Sequence, residues 1–330
     1  MLRSPPEFWH RRGVLPALLA PLGWVYAAAG AARRASVQPW RAPVPVVCVG
    51  NLVVGGAGKT PVAISLARRL AALGERPHLL TRGYGGKLSG PLRIKPERHH
   101  YRDVGDEALL LATAAPTWLA RDRVRGARHA VRLGASVLVL DDGFQNPSLV
   151  QDLKLVVVDG GYGFGNGCVM PAGPLRELVC TGLRRADAVV LLGPDRAGIA
   201  DRLGSKPVLR GRLVPRAGAP YLAGERVVAF AGIGRPRKFF DFLGTLGAEV
   251  VKQHPFPDHH PYREDEIATL NRAAAEAKAR LVTTEKDLIR VPLAFRRDIL
   301  TVPIEVVWED PAAVDLALAR VRRKAWPANG

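Results

Sequence analysis

Cysteine is scarce in this chain of 330 residues: there are three, Cys48, Cys168 and Cys180, and none forms a Cys-x-x-Cys pair. An odd count without paired spacing excludes a disulfide framework and a zinc finger, and it fits a reducing compartment. Acidic side chains are also few, 30 against 48 Lys and Arg, which leaves a net charge of +18. No helix-turn-helix, zinc or RNP-like signature accompanies that charge, and the basic residues are spread along the chain rather than gathered in a tail. This argues against a nucleic-acid partner and leaves an anionic membrane surface or a phosphorylated substrate. Free use of arginine would by itself account for part of the excess. Apolar content is ordinary and the length suits roughly two domains.

Long apolar runs are confined to one place. Val14 to Ala32 carries no formal charge, with Arg3, Arg11 and Arg12 ahead of it and Arg33 and Arg34 behind. A helix of that length reaches ~28 Å at 1.5 Å per residue, close to a bilayer core. Pro16, Pro21 and Gly23 interrupt the run. The expectation is a helix lying at a membrane interface with its guanidiniums on lipid phosphates. A core helix, a true span and a signal segment are the alternatives. Trp9, Trp24, Tyr26 and Trp40 are of the types that settle at headgroup depth, and ordinary packing also uses them.

Residues 46–61, VVCVGNLVVGGAGKTP, organise the rest. A short apolar strand breaks into glycines and ends in Gly-Lys-Thr at a helix start. That is the architecture of a phosphate-binding loop. Backbone N–H groups wrap a polyphosphate, Lys59 can reach the β/γ oxygens, and the Thr60 hydroxyl can ligate Mg²⁺. The strict pattern wants glycine where this chain has Val53, so a plain glycine-rich turn is the alternative. The following helix carries Leu66, Leu70 and Leu73 at helical spacing and stops at Gly74.

Downstream, residues 78–81 read as a strand running into Arg82-Gly83-Tyr84-Gly85-Gly86, a loop able to hold a substrate phosphate or to be a surface turn. Asp106 and Glu107 open a helix, where the dipole alone favours acids. Residues 135–142 form a strand ending in Asp141 and Asp142; paired carboxylates after an apolar run call for a cation, and Mg²⁺ is the expectation. Strand and helix alternate through the first two-thirds, which implies a mainly parallel sheet with helices on both faces. Residues 206–224, rich in Pro, Gly and Arg, mark a boundary, and a second, smaller α/β set follows. In it, Asp258-His259-His260 suits a tuned acid/base better than a metal, because adjacent histidines rarely bind one ion. Thr284-Glu285-Lys286-Asp287 lacks the spacer of a guanine-reading Lys-x-Asp.

Taken in order, GNLVVGGAGKTP, TRGYGG, VGDE, LDDGFQN, GNGCVMPAGPLRE, FPDHHPY and TTEKD resemble the tetraacyldisaccharide 4′-kinase (lipid A 4′-kinase) family of Gram-negative bacteria, over nearly the whole chain. The resemblance implies a phosphate-loop NTPase-like α/β fold with a second α/β domain and an N-terminal apolar helix. It implies transfer of the ATP γ-phosphoryl to the 4′-hydroxyl of a membrane-embedded glycolipid, at the cytoplasmic face of the inner membrane, with Mg²⁺. A monomer is expected. The expected division is a membrane-associated helix over 1–42, a kinase domain over 43–205, a linker over 206–224 and a C-terminal domain over 225–330. Gly55, Gly56, Ala57, Gly58, Lys59 and Thr60 match the ATP loop, with Lys59 also catalytic. Asp106 and His259 match a dyad that activates the sugar hydroxyl. Thr60, Asp141, Asp142 and Glu177 match positions around Mg²⁺, and Tyr84, Gln145 and Arg176 match further active-site positions. One departure is Asn146, where the family most often has His; Asn cannot shuttle a proton near neutral pH. A phosphate-loop regulatory ATPase and a basic nucleic-acid-binding protein are the rival readings.

Overall fold

In the computed structural model, which describes residues 6–324, the chain forms two units: Pro6–Leu213 together with the segment from Val306, and Val214–Glu305. The first unit holds the strands β1 (Val46–Gly50), β2 (Pro77–Thr81), β3 (Leu92–Arg93), β4 (Thr117–Leu119), β5 (Val137–Asp141), β6 (Leu153–Asp159), β7 (Ala188–Leu192) and most of β8 (Val208–Pro215). Its helices are α1 (Val14–Ser36), α2 (Lys59–Ala72), α3 (Tyr101–Val104), α4 (Asp106–Leu111), α5 (Arg123–Arg132) and α6 (Val179–Arg185). The second unit holds β9 (Arg226–Ala231), α7 (Pro236–Thr245), β10 (Glu249–Pro255), α8 (Glu264–Glu276), β11 (Arg280–Thr283), α9 (Glu285–Leu288) and β12 (Leu300–Thr301). The chain then returns to the first unit through β13 (Ile304–Trp308) and α10 (Pro311–Lys324).

The large sheet runs β13-β8-β7-β6-β1-β5-β2-β4-β3. It is parallel from β8 through β4, with β3 antiparallel at the edge. β1, β2, β5 and β7 are buried at every position, the signature of strands covered on both faces. β1 lies between β5 and β6, so chain entering β1 leaves rightward through α2 and returns leftward at β6. This topological switch point is where open α/β sheets bind ligands. The small sheet runs β10-β9-β11-β12, all parallel. Alternation along β9 sorts its core: Val227, Ala229 and Ala231 pack with Phe239, Phe240 and Leu243 of α7, while Val228 and Phe230 pack with Ile267 and Leu270 of α8.

Two boundaries differ from the sequence expectation. The stretch 206–224 supplies an eight-residue strand, β8, to the large sheet. The second unit ends at Glu305, and β13 joins that same large sheet. There Trp308 Nε1 donates to Ser65 Oγ at 2.9 Å, and Arg69 pairs with Asp315 at 2.6 Å. Residues 325–330 lie outside the described residues.

α1 continues through its interruptions. Pro16 sits in the first turn, where its missing N–H is not needed, and Gly23 lets the helix approach the 169–170 backbone, since a Cβ there would lie 2.8 Å from the Val169 carbonyl oxygen. The helix is long and apolar enough to cross a membrane by length and composition. Val14, Leu15, Leu18, Leu22, Trp24 and Val25 are all exposed, which does not fit a core helix. Arg33 faces outward, whereas Arg34 turns in to Glu177 at 3.7 Å, so only one of the two guanidiniums at this end is free to meet a lipid phosphate.

Candidate active site

The glycine loop follows β1 directly. Gly55 and Gly58 have φ of +103° and +89°, a region that L side chains rarely adopt, and a Cβ on Gly58 would also strike Leu192. Lys59 is the first residue of α2. Ala57 is buried and Gly56 exposed, so the loop presents backbone rather than side chains at its tip. Val53, the departure from the strict pattern, bridges Leu175 in antiparallel fashion. Val54 N–H donates to Pro174 O at 2.8 Å and Arg176 N–H to Leu52 O at 2.8 Å. The position is therefore a buried pairing residue, and glycine is not required there. The pairing also brings Arg176 beside the loop.

Four charged groups converge there. Thr60 Oγ1 donates to Asp141 Oδ2 at 3.1 Å. Asp141 Oδ1 is buried and has no hydrogen-bond partner among the described residues. Burial, with Glu107 and Asp142 adding to it against Lys59, pushes the Asp141 carboxyl up to about 7. Asp142 takes φ of +56° just past the strand end and so points elsewhere. It receives Arg176 Nη1 at 2.7 Å and stands 3.8 Å from Lys59 Nζ. Burial raises its carboxyl, and Lys59 and Arg176 more than reverse that, to about 2. The neighbouring carboxylates thus part: Asp142 is a permanent anion already paired, while Asp141 keeps one buried oxygen unpartnered among the described residues. A hydroxyl and a carboxylate suit Mg²⁺, which prefers oxygen and keeps several waters. Thr60 and Asp141 fit that ion.

Glu177 does not fit it. Its carboxylate is buried, and Arg185 Nη2 donates to both oxygens, at 2.6 and 2.7 Å. Gln145 Nε2 donates to the same group at 3.1 Å and to Asn51 O, in the glycine loop, at 2.9 Å. Glu177, expected near the metal, ties Arg185 and, through Gln145, the glycine loop to one buried carboxylate. Asn146 likewise has a turn role: its Oδ1 accepts from Ser148 N–H at 2.8 Å and Ser148 Oγ at 2.6 Å.

Asp106 starts α4 and is buried, with Oδ1 accepting Glu107 N–H at 2.8 Å. Tyr84 is half exposed, and its loop interlocks with the Asp106 turn. A Cβ on Gly105 would lie 2.4 Å from Tyr84 O, and one on Gly86 would lie 2.6 Å from Asp103 O. TRGYGG and VGDE are glycine-rich because their backbones touch. His259 belongs to the second unit. Its φ is +60°, its N–H donates to Gly232 O at 3.0 Å, and Lys286 Nζ stands 3.5 Å from its Nε2. Sequence reasoning missed Arg185 and the place of Lys286 beside His259; only Lys286 lay in a motif, TTEKD, that could have flagged it.

A parallel sheet whose first strand feeds a glycine loop, and whose neighbour ends in an unsatisfied aspartate facing the loop threonine, defines a phosphate-loop nucleotide-binding protein. The family model described as "LpxK: Tetraacyldisaccharide-1-P 4'-kinase" matches residues 15–322. This chain belongs to that family. The "Tetraacyldisaccharide 4'-kinase" of Rhodospirillum centenum is 56% identical over 321 residues, covering 95% of each chain. That of Paramagnetospirillum magneticum is 49% identical, covering 97% of this chain and 99% of its own. The crystal structure of the "apo" form of LpxK from Aquifex aeolicus in complex with ATP is similar at a TM-score of 0.76 and 28% identity, over 93% of this chain and 99% of that one.

Proposed function

We propose that this protein transfers the γ-phosphoryl group of ATP to the 4′-hydroxyl of tetraacyldisaccharide 1-phosphate, forming lipid IVA. The observation that carries the reading is the glycine loop with Lys59 and Thr60 set against Asp141, inside a family match that spans the chain. Phosphoryl transfer needs positioning and charge stabilisation more than covalent help. Loop N–H groups and Lys59 would bind the β/γ oxygens, and Arg176, held by Asp142, adds a cation beside them. Thr60 and Asp141 would hold Mg²⁺, which when bound neutralises phosphate charge. His259 would accept the 4′-hydroxyl proton, with Asp106 as the supporting carboxylate. Tyr84 and Gln145 are assigned as substrate- and loop-positioning groups. The exposed apolar face of α1 supports association with the membrane that carries the lipid, at the cytoplasmic face, where ATP is found.

The deciding experiment incubates the protein with γ-labelled ATP, Mg²⁺ and tetraacyldisaccharide 1-phosphate in detergent. The expected result is a labelled lipid. Labelled inorganic phosphate alone would point to a regulatory ATPase and overturn the reading.

A further inference from the structure

The FPDHHPY loop and the TTEKD motif meet around Gly232, through His259 N–H on its carbonyl and its own N–H on Asp287. His259 has a left-handed backbone, a conformation that only well-determined surroundings maintain in a residue other than glycine. Its N–H is anchored on the Gly232 carbonyl, which also accepts Arg290 Nη2 at 2.7 Å. The N–H of the same Gly232 donates to Asp287 Oδ1 at 2.8 Å. Asp287 is fully buried and ion-paired to Arg290. Its Oδ1 also accepts the Tyr262 hydroxyl at 2.8 Å, and its Oδ2 accepts Thr284 Oγ1 at 2.6 Å. Tyr262 lies three residues after His259 and is 3% exposed. Burial first, then the adjacent Asp287, pushes its phenol up, so it stays a donor. Gly232 is itself confined: a Cβ there would lie 2.9 Å from Pro257 O and 3.0 Å from the Tyr262 hydroxyl.

We infer that Asp287, Arg290 and Tyr262 are positioning residues for the reaction: they clamp the backbone N–H and carbonyl of Gly232 and the far end of the histidine loop, and so fix where the His259 imidazole stands. The inference rests on the reading of His259 as the base. Asp287 serves the loop from one side as acceptor, and Arg290 serves it as donor. Neither partner need approach substrate. The Asp that ends TTEKD is thereby linked to the histidine of FPDHHPY, although 28 positions separate Asp287 from His259 in the chain.

The test uses the full-length protein and steady-state kinetics with lipid and ATP. Tyr262→Phe removes one hydroxyl and keeps the ring; Asp287→Asn removes the charge. A misplaced imidazole weakens only the transition state. Tyr262→Phe is therefore expected to lower kcat ~10-fold with both KM values within about twofold, and Asp287→Asn to lower it further. The readout that separates positioning from general destabilisation is the double variant. In a His259→Ala background, Tyr262→Phe should have no further effect on turnover, because the group it places is gone. Should Asp287→Asn fail to fold, Tyr262→Phe decides alone. Wild-type kcat in folded Tyr262→Phe, or losses that multiply in the double variant, overturns the inference. Near-normal turnover in His259→Ala itself would instead remove the base and, with it, what the clamp serves.

Discussion

Asp141 and Asp142 are neighbours in sequence with opposite chemistry. The strand ends between them, and the left-handed turn at Asp142 sends its carboxylate to Arg176 and Lys59 while Asp141 stays in the dry floor beside Thr60. A buried carboxylate oxygen without a partner is costly. Asp141→Asn is therefore expected to raise the metal-free melting temperature by about 2–6 °C and to lower turnover at least ~100-fold. Stabilisation by added Mg²⁺ should vanish in the same variant. Calorimetry with and without Mg²⁺ checks both, and an unchanged Mg²⁺ response would remove Asp141 as a ligand. The pair of carboxylates at the strand end was legible in the sequence. Their division of partners was not, because it depends on Arg176, delivered to Asp142 by the 174–176 segment.

Among elements, β2 and β4 hold a buried titratable group, His78. Trp118 Nε1 donates to His78 Nδ1 at 3.2 Å. Burial, then Arg93 and Arg76, holds the His78 imidazole below its ordinary value of 6.5. The folded state thus binds fewer protons than the unfolded one below that pH. Its contribution is fully present above about 6.5 and is lost as pH falls toward the lowered folded value. Unfolding free energy should decline across that acid range, and His78→Gln should flatten the decline; denaturant titrations at several pH values measure it. α1 is the other element with an unmet surface. Each Leu or Val buried among acyl chains contributes about 1.5–3 kcal/mol. Leu18→Glu, Leu22→Glu and Val25→Glu together should weaken vesicle association at least ~100-fold with ATP binding intact. Cosedimentation with anionic vesicles tests this, and undiminished pelleting would rule out the exposed face as the contact. The apolar run announced α1 plainly. That Arg34 folds back to Glu177 was hidden, since the two are 143 positions apart in the chain.

At the scale of the whole molecule, the chain leaves the large sheet after β8 and returns to it at β13. The return is stapled to α2, the helix that begins with Lys59, by Trp308 on Ser65 and Asp315 on Arg69. Trp308 is buried, so Trp308→Ala should cost about 3–5 kcal/mol of stability. Chemical denaturation followed by nucleotide binding would show whether the loss falls on the ATP-binding unit; no change would mean the staple is incidental. Asp106 lies in the first unit and His259 in the second. Alanine at either is expected to cut kcat at least ~100-fold while ATP affinity is kept, as measured by turnover beside equilibrium nucleotide binding. Full turnover in one of them would strip that residue of its role.

Sequence alone determined what is local. The strand–glycine–helix order of residues 46–61, the apolar length of α1 and the alternation of strand and helix depend on hydrogen bonds and periodicity within a few residues, so they can be read without a fold. Tertiary structure decided partnership: Arg185 on Glu177, Arg176 on Asp142, Asp287 on Gly232, and the sheet that β13 joins. Each of these joins groups distant along the chain or selects among several equally suitable partners. Burial and geometry make that selection, and neither is a property of any single stretch.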